Sequence, residues 1–347
     1  MSPKVTINLL GWNSKKYLKQ ALDSASAQTY PNLEIVYLDN GSEDGSVVFV
    51  RENFPSVKIV ENKKNLGYAA GHNIGIREAR GEYVICMNPD VVMARDFVER
   101  AVETMRKNET IGVIGGKLFR MKENGEKTKI IDSTGLKIEK SRRVADRGQG
   151  KIDRGQYEKQ EQVFGISGAL CVFRKSALED VKIFGEYFDQ DFENYKEDID
   201  LCWRLNLLGW KCIYAPQALA YHERGTGASE KNKQSLWAAK KQHSFRAKYF
   251  SLKNQSLMLA KNDFLRYYLL DLPWVLCYEI KRWGYVLLRE PKLFRSFSKL
   301  ISQLPRAFSK RRVIMAKRRV KAGEMRRFFR SPHFWFVGSI VARALWS

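Results

Sequence analysis

Several features that define common classes of protein are missing from this 347-residue sequence. Its five cysteines form no C-x-x-C pair and follow no zinc-ligand spacing, so neither a redox motif nor a zinc site is expected. The five cysteines are Cys86, Cys171, Cys202, Cys212 and Cys277, and four of them lie in apolar runs. This placement favours buried free thiols in a reducing compartment.

Long uncharged stretches are missing as well. A membrane-spanning helix needs roughly 18–20 apolar residues, whereas the longest uncharged stretches, such as 331–342, reach only about a dozen. No signal peptide is expected, because Pro3 and Lys4 lead directly into a strand-like run. We therefore expect a chain that can lie on a membrane without crossing it.

Three catalytic or cofactor signatures are absent. There is no Ser-His-Asp order, no P-loop, and no G-x-G-x-x-G after the first strand-like run. A dinucleotide cofactor is therefore not expected.

Acidic residues are scarce in the last third of the chain. Residues 231–347 contain 27 Lys and Arg against 5 Asp and Glu, whereas residues 1–230 contain 34 against 33. A nearly neutral first part therefore carries a strongly basic second part. Such asymmetry indicates an anionic partner, either nucleic acid or a membrane surface rich in acidic lipid.

Strand and helix patterns alternate over the first part. Continuous apolar runs predict strands, and periodic segments between them predict helices. The predicted strands are 5–10, 33–38, 57–60, 83–87, 111–115, 163–173 and 210–214, and the predicted helices are 15–28, 46–53, 69–79, 95–107 and 196–208. Residues 122–161 are polar and predict a long hairpin or loop. The pattern predicts an α/β fold: a Rossmann-like, mostly parallel sheet with helices on both faces.

The chain after Gly227 predicts helices only, separated by prolines 273, 291, 305 and 332. Apolar residues between Pro291 and Pro305 follow an amphipathic spacing: Leu293, Phe294, Phe297, Leu300, Ile301 and Leu304. With the surrounding charge, this favours a helix at a membrane interface, the alternative being a helix packed on the first part. The aromatic residues 334–336 and Trp346 also favour an interface.

Polar residues follow two of the predicted strands, where parallel sheets bind ligands. Asp39 begins Asp-Asn-Gly-Ser, where its carboxylate can bind a nucleotide or simply stabilise a turn. Asp90 ends Asn88-Pro89-Asp90 and can bind Mg²⁺ or Mn²⁺, since these ions prefer oxygen ligands. The segment from Gly67 to Asn73 opens a helix with several small residues, which can let a phosphate or sugar approach the backbone or simply allow helix packing.

Acidic residues also open the predicted helix 196–208. Glu197, Asp198 and Asp200 can act by capping the helix dipole, and Asp200 pairs with Arg204 four residues on. Glu197 and Asp198 remain candidates for a general base. His222, at the end of an apolar run, is either structural or a ligand.

In order and spacing, these segments resemble the family 2 glycosyltransferases of GT-A fold, in particular the rhamnosyltransferase-like branch. The resemblance spans about residues 4–227 and rests on six segments: 7–13 (Ile-Asn-Leu-Leu-Gly-Trp-Asn), 38–42 (Leu-Asp-Asn-Gly-Ser), 65–73 (Asn-Leu-Gly-Tyr-Ala-Ala-Gly-His-Asn), 87–90 (Met-Asn-Pro-Asp), 165–169 (Gly-Ile-Ser-Gly-Ala) and 195–200 (Tyr-Lys-Glu-Asp-Ile-Asp). Gly11-Trp12 departs from the Thr-Tyr or Thr-Trp type pair of many members.

The resemblance implies a role for each site residue. Asp39 would bind the nucleobase, Asp198 would be the catalytic base beside Glu197, and Asp90 with His222 would hold Mg²⁺ or Mn²⁺. Donor contacts would come from further positions in the same segments: Leu10, Asn13, Gly67, Asn73 and Asn88. Asn88 replaces the first acidic residue of the family's D-x-D motif, which leaves Asp90 as its one direct carboxylate.

The resemblance therefore implies an inverting sugar transfer, first of all of rhamnose, from a nucleotide diphosphate donor to a polyprenyl-linked or glycan acceptor. We expect a catalytic domain in residues 1–230, a membrane-associating region in 231–347, peripheral attachment to the cytoplasmic face of the cell membrane and no nucleic-acid partner. Apolar surface in the second region can serve a homodimer. The alternatives are a nucleic-acid-binding protein, a nucleotidyltransferase and an inactive nucleotide-sugar-binding scaffold.

Overall fold

The computed structural model describes residues 2–224 and 245–331. Within them the strands are β1 Val5–Gly11, β2 Leu33–Asp39, β3 Lys58–Glu61, β4 Tyr83–Met87, β5 Val91–Met93, β6 Ile111–Met121, β7 Lys127–Ser133, β8 Leu136–Glu139, β9 Val144–Asp146, β10 Glu161–Val163, β11 Leu170–Arg174, β12 Lys211–His222 and β13 Phe329–Arg330. The α-helices are α1 Lys15–Ser26, α2 Ser46–Asn53, α3 Gly67–Glu78, α4 Phe97–Arg106, α5 Lys175–Val181, α6 Glu197–Leu207, α7 Phe245–Asn262, α8 Leu265–Leu270, α9 Leu272–Arg289, α10 Arg295–Lys317 and α11 Ala322–Arg326. Short 3-10 helices occupy Gln190–Phe192 and Pro291–Phe294.

The central sheet follows the strand order β3-β2-β1-β4-β11-β6-β12-β10. Strands β3, β2, β1 and β4 are parallel, as the alternation of strands and helices predicts. Strand β11 runs antiparallel to both β4 and β6, and β12 is parallel to β6. Two short strands extend the sheet, because β5 pairs with β12 and β7 pairs with β6.

Side chains of the central strands are buried on both faces of the sheet. In β4, Val84 and Cys86 belong to one hydrophobic cluster and Ile85 to the other, because successive strand residues point to opposite faces. Helices α3, α5 and α6 contribute to the first cluster, and α1 and α4 contribute to the second. The α/β fold with helices on both faces, which the sequence predicts, is confirmed.

Two segments differ from their predictions. The run 163–173 predicts one strand, but the structure ends β10 at Val163 and begins β11 only at Leu170. The residues between them bond to α6, since the Ile166 N–H donates to Cys202 Sγ over 3.3 Å. The polar segment 122–161 contains β7, β8 and β9, and these last two form a small sheet with β13.

The described C-terminal helices share a core with the α/β part. Met258 of α7 and Leu300 and Ile314 of α10 belong to the same buried cluster as Trp203 of α6. Strand β13 adds a second connection by pairing with β8. The predicted domain boundary at residue 230 lies outside the described residues, as do the aromatic residues of 334–336 and Trp346.

Helix α10 continues through Pro305, where the sequence predicts an interruption. Proline removes one backbone donor and normally breaks or kinks a helix. Here Leu300 on one side and Ala307 on the other are both buried in the shared core. Packing along both halves therefore holds the helix together across the proline.

Buried ion pairs connect α6, α7 and α10. Asp189 pairs with Lys261 of α7 and Lys310 of α10, and Lys261 also lies 2.8 Å from Asp200. Burial alone would raise the pKa of Asp189, but the two lysines hold it well below its usual range. The charge of Asp189 is therefore balanced only by residues more than seventy positions away.

Replacing Asp189 with alanine should destabilise the protein by about 3–5 kcal/mol, because two buried lysines lose a shared counter-charge. Urea unfolding followed by circular dichroism measures this change. The matched control is Asp23→Ala, whose pair with Lys19 is 2.8 Å long but exposed. That variant should lose at most about 1 kcal/mol. Equal losses in both variants would contradict a stabilising role for the buried pairs.

Candidate active site

The ends of three central strands meet at one edge of the sheet. Gly11 at the end of β1 pairs with Asp39 at the end of β2, and Leu9 pairs with Met87 at the end of β4. Met87 also pairs with Leu170, the first residue of the antiparallel β11. The segments that follow β1, β2 and β4 and the segment that precedes β11 therefore leave the sheet on the same side.

Asp39 is buried at this edge and stabilises the turn that follows it. Its carboxylate accepts hydrogen bonds from the Gly41 and Ser42 N–H groups over 3.0 and 2.8 Å, and from the Tyr37 hydroxyl over 3.0 Å. The turn chemistry predicted for Asp-Asn-Gly-Ser is thus present. Binding of a nucleobase by Asp39 stays a prediction.

Asp198 lies in the first turn of α6, beside the segment that precedes β11. Its carboxylate accepts the Gly168 N–H over 2.8 Å and its neighbour Ile199 N–H over 2.8 Å. A side chain at position 168 would come within 2.9 Å of the Tyr68 hydroxyl and 3.1 Å of Asp198 Cβ, so only glycine fits there. Burial raises the pKa of Asp198, and the two backbone bonds offset this only in part. A carboxylate of raised pKa is a better proton acceptor.

The loop that leads to Asp198 has an unusual backbone. Glu193, Tyr195 and Lys196 all have positive φ, between 60° and 70°, which is unfavourable for residues other than glycine. Asn254 of α7 holds this loop, because its amide donates to three backbone carbonyls over 2.8–2.9 Å: those of Phe192, Asn194 and Tyr195. Sequence analysis missed Asn254, since nothing near it in sequence marks a partner sixty residues away.

Glu197, the second candidate base, is buried next to Asp198. Its Oε2 atom has no hydrogen-bond partner among residues 2–224 and 245–331. Burial and the adjacent Asp198 charge raise the pKa of Glu197 well above its usual range. Because a protonated carboxyl cannot accept a proton, these surroundings favour Asp198 as the base.

Asp90 and His222 converge where β5 pairs with β12. His222 pairs in register with Val91, and its Nε2 atom lies 3.4 Å from Asp90 Oδ1. On the other side of the ring, Nδ1 lies 2.8 Å from Asp132 Oδ2. Burial alone would lower the pKa of His222, but Asp90 and Asp132 outweigh it and raise the pKa to about 9.

The Asp132–His222–Asp90 arrangement matches the way proteins orient a metal-binding imidazole. A carboxylate that holds one ring nitrogen fixes the tautomer and leaves the other nitrogen directed at the ion. Asp132 was missed in the sequence, because it lies in the segment predicted as a loop and 90 residues from His222. Only the folded structure shows that Asp132 lies beside His222.

The two side chains fit a divalent cation, with one oxygen and one nitrogen donor. No group of three or more His, Cys, Asp or Glu side chains suited to a metal ion occurs in the described parts of the chain. Asp90 and His222 would therefore supply two ligands and leave the others to substrate oxygens or water. Such a partial protein shell is typical of Mg²⁺ sites that also bind phosphates.

Arg224 connects Asp132 to a further carboxylate, because it also pairs with Asp146 over 3.1 Å. The Asp146 charge is one of the causes that raise the pKa of Asp198. The segments that hold Asp90 and Gly168, the partner of Asp198, leave the same edge of the sheet. Asp39 belongs to the same sheet edge by strand register.

The remaining predicted donor residues are placed by their own contacts. Asn13 binds the turn after β2: its backbone N–H donates to Ser42 Oγ, and its Oδ1 atom accepts the Glu43 N–H. Gly67 has a φ of 82° and leaves no room for a side chain, which would meet the Glu193 carbonyl at 2.8 Å.

The other three lie deeper or bond to backbone. Leu10 packs against Gly71 at the end of β1, and the Asn88 N–H donates to the Ala169 carbonyl over 2.9 Å. Asn73 is buried, and both ends of its amide bond to the backbone of Phe188. Its contacts give Asn73 a structural role in holding α3 against the segment before α6.

A separate cavity of about 220 Å³ lies between the small sheet and β10. Arg147, Glu161, Phe164 and Phe328 are among its lining residues, and none of the predicted site residues lines it. The candidate base and the candidate cation ligands lie at the sheet edge and not in this cavity.

Comparison with known proteins relates part of this chain to a family and its fold to solved structures. The family model described as "Glycosyl transferase family 2" matches residues 12–182. A poly-β-1,6-N-acetyl-D-glucosamine synthase of Staphylococcus epidermidis is 29% identical over 224 residues, which are 62% of this chain and 49% of the relative. The synthase of the same name from Staphylococcus aureus strain COL is 27% identical over 225 residues. The chain thus spans about half the length of these relatives.

Solved structures share the fold at low identity. TarS 1–349 of S. aureus in complex with UDP aligns with a TM-score of 0.55 at 15% identity, over 90% of this chain and 86% of that one. The mannosyltransferase PcManGT from Pyrobaculum calidifontis, in complex with GDP-Man and Mn²⁺, aligns with a TM-score of 0.52 at 19% identity, over 100% and 82%. GalNAc-T7 with UDP, GalNAc and Mn²⁺ aligns with a TM-score of 0.56 at 15% identity, over 76% and 49%. Residues 12–182 therefore match glycosyl transferase family 2, and the chain has the GT-A fold with a helical C-terminal extension.

Proposed function

We propose that this protein transfers a sugar from a nucleotide diphosphate donor to an acceptor hydroxyl, with inversion at the anomeric carbon. The observation that carries the proposal is the placement of Asp198 beside Gly168 and of Asp90 beside His222 around one edge of the sheet. In this mechanism Asp198 accepts the proton of the acceptor hydroxyl as its oxygen attacks the anomeric carbon. The bond to the diphosphate breaks on the opposite face of the sugar.

The protein contributes positioning and electrostatics to this reaction. The backbone N–H groups of Gly168 and Ile199 orient the Asp198 carboxylate, and Asn254 fixes the loop before it. Asp90 and His222 would hold Mg²⁺ or Mn²⁺, which neutralises negative charge on a leaving diphosphate. Two of the structural neighbours contain Mn²⁺ together with UDP or GDP-Man, which supports the use of a divalent ion.

The donor sugar has two candidates. The order of the sequence motifs favours rhamnose, whereas the names of the related synthases favour N-acetylglucosamine. We propose a polyprenyl-linked or glycan acceptor in the synthesis of a cell-surface polysaccharide. Attachment at the cytoplasmic face of the membrane is part of the same proposal.

A panel of nucleotide sugars tests the proposed activity. We expect slow release of nucleotide diphosphate from one donor by hydrolysis, because water can replace the acceptor. The release should require Mg²⁺ or Mn²⁺ and stop when EDTA is added. Thymidine-diphosphate-rhamnose and UDP-N-acetylglucosamine are the two donors to compare first, with luminescent nucleotide detection as the measurement.

Calorimetric titration with the same donors separates the alternatives. Binding without release, with every acceptor and ion tried, would indicate an inactive scaffold. Absence of both binding and release would contradict the proposed donor class.

A further inference from the structure

Exposed apolar side chains are concentrated in the C-terminal helices. Of seventeen large hydrophobic residues that are exposed in the described parts of the chain, twelve lie between Phe245 and Phe308. The described α/β part, residues 2–224, is more than twice as long as 245–331 yet contains only five. A surface of this kind usually marks an interaction site.

Helix α9 contributes one continuous apolar stripe to this surface. Leu276, Ile280 and Leu287 follow helical spacing and are 48%, 69% and 63% exposed. Val275 and Val286, about 100° around the helix from this stripe, are buried. The helix is therefore held by one face and presents a second apolar face that no described residue covers.

Helix α10 divides its predicted apolar stripe in the same way. Leu300 is buried in the shared core, whereas Phe297 and Ile301 are 48% and 52% exposed. Trp283 of α9 joins the two helices, because its ring stacks on Phe294 at 5.8 Å and meets Phe297 edge-on at 6.3 Å. We call the exposed side chains of α8, α9 and the 291–308 segment the helical surface.

The charges of the helical surface are positive. Its exposed basic residues are Arg266, Lys281, Arg289, Lys292, Arg295, Lys299 and Arg306, of which Arg306 pairs with Glu186 and Asp191 of the α/β part. The acidic residues of 265–308 are all in ion pairs: Asp271 with Arg142 and Arg326, Glu279 with Arg282, and Glu290 with Lys248. Apolar side chains interleaved with unneutralised basic ones are typical of helices that lie in the head-group region of a bilayer.

We propose that the helical surface seats the protein on an anionic lipid bilayer. The apolar side chains of α9 and α10 enter the boundary between head groups and acyl chains, and the neighbouring Lys and Arg side chains contact acidic head groups. A second copy of the chain is a poorer occupant, because a two-fold interface would bring the same basic residues together. Nucleic acid would match the charge but not the apolar stripes.

Seating by α9 brings the bilayer near the catalytic loop, a consequence that rests on the proposed function. Val286 of α9 packs in one cluster with Leu252 of α7. Two residues further along α7, Asn254 holds the loop that leads to Asp198. Helix α9 is thus connected to the candidate-base loop through α7 while its exposed face meets lipid, which suits an acceptor carried by a lipid.

Flotation of the whole protein with vesicles tests the proposal. Wild-type protein should float with vesicles that contain phosphatidylglycerol, float less as salt rises, and stay unbound with phosphatidylcholine alone. The double variant Ile280→Asp, Leu287→Asp should bind the anionic vesicles at least about 100-fold more weakly than the wild type, because it loses two apolar side chains and adds negative charge. The charge variant Lys292→Glu, Arg295→Glu should lose the preference for anionic lipid.

Controls keep the outcomes distinct. Val48→Asp alters a side chain of similar exposure, 53%, on α2, and it should bind like the wild type. Donor hydrolysis should be unchanged in the double variant, so a failure of the membrane proposal is separable from a failure of the proposed activity. Removal of residues 231–347 is unsuitable, since α7 and α10 complete the core.

Three results would overturn the proposal. The first is undiminished vesicle binding by the double variant. The second is a wild-type protein that does not bind anionic vesicles but forms a dimer that the double variant does not form, as measured by light scattering. The third is binding of duplex DNA at matched salt in preference to anionic vesicles.

Discussion

Replacing Asp198 with asparagine should lower the rate of sugar transfer by roughly 10²–10⁴-fold, the range for loss of a general base. Asparagine keeps one oxygen, which can accept the Gly168 N–H, but its amide nitrogen cannot accept the Ile199 N–H that Asp198 also binds. The loop and α6 should keep their positions through the Gly168 bond and through Asn254, while the capacity to take a proton is lost. Steady-state release of nucleotide diphosphate in the presence of acceptor measures the rate, and calorimetry should find donor affinity unchanged.

Glu197→Gln is the matched control for this variant. Burial and the Asp198 charge raise the pKa of Glu197 well above its usual range and so favour its neutral form. Glutamine resembles that neutral form and should retain most of the activity. The opposite pattern, with Glu197→Gln inactive and Asp198→Asn active, would exchange the two roles.

The pH profile gives an independent check on Asp198. Burial raises its pKa above that of an ordinary aspartate, and only the ionised form accepts a proton. The value of kcat/KM should therefore rise with pH through this raised pKa, at a higher pH than an exposed aspartate would give. Asp198→Asn should lack this acid limb.

Local pattern was sufficient for the first part of the fold. The predicted strand 83–87 matches β4 and the predicted helix 46–53 matches α2, because each depends on apolar periodicity within a few residues. The break between β10 and β11 was not predictable in this way. It exists because Gly168 and Ile166 bond to α6, some thirty residues further along the chain.

The candidate site was predictable to the same extent. Asp90 and Asp198 stand in motifs that the sequence displays, whereas Asp132 orients His222, 90 positions away, and Asn254 binds the Tyr195 carbonyl, 59 positions away. The apolar stripe 293–304 shows a related limit. Its spacing identifies an amphipathic helix but cannot tell that Leu300 enters the core while Phe297 stays exposed.

Replacing Asp90 with alanine should lower turnover by about 10²–10³-fold, the loss typical of removing one electrostatic stabiliser of the transition state. His222 alone would then face the cation, and one protein ligand with water offers little affinity for Mg²⁺ or Mn²⁺. Stimulation by either ion should therefore disappear, and donor affinity should fall with it. Titration of both ions against nucleotide release is the measurement, and an unchanged ion dependence would remove Asp90 from the site.

Asp132→Asn tests a residue that orients the cation ligand His222 without being a ligand itself. This variant keeps Asp90 and His222 but weakens the hydrogen bond to His222 Nδ1, so ion affinity should fall by about 10–100-fold and activity should recover at high Mn²⁺.

Asp90 and Asp132 together raise the pKa of His222 to about 9, so substitution of either one should lower that pKa. Since a cation must displace the imidazolium proton, wild-type ion affinity should increase with pH up to about 9. In Asp132→Asn the increase should level off at a lower pH, whereas Asp90→Ala should bind too weakly at any pH to show it.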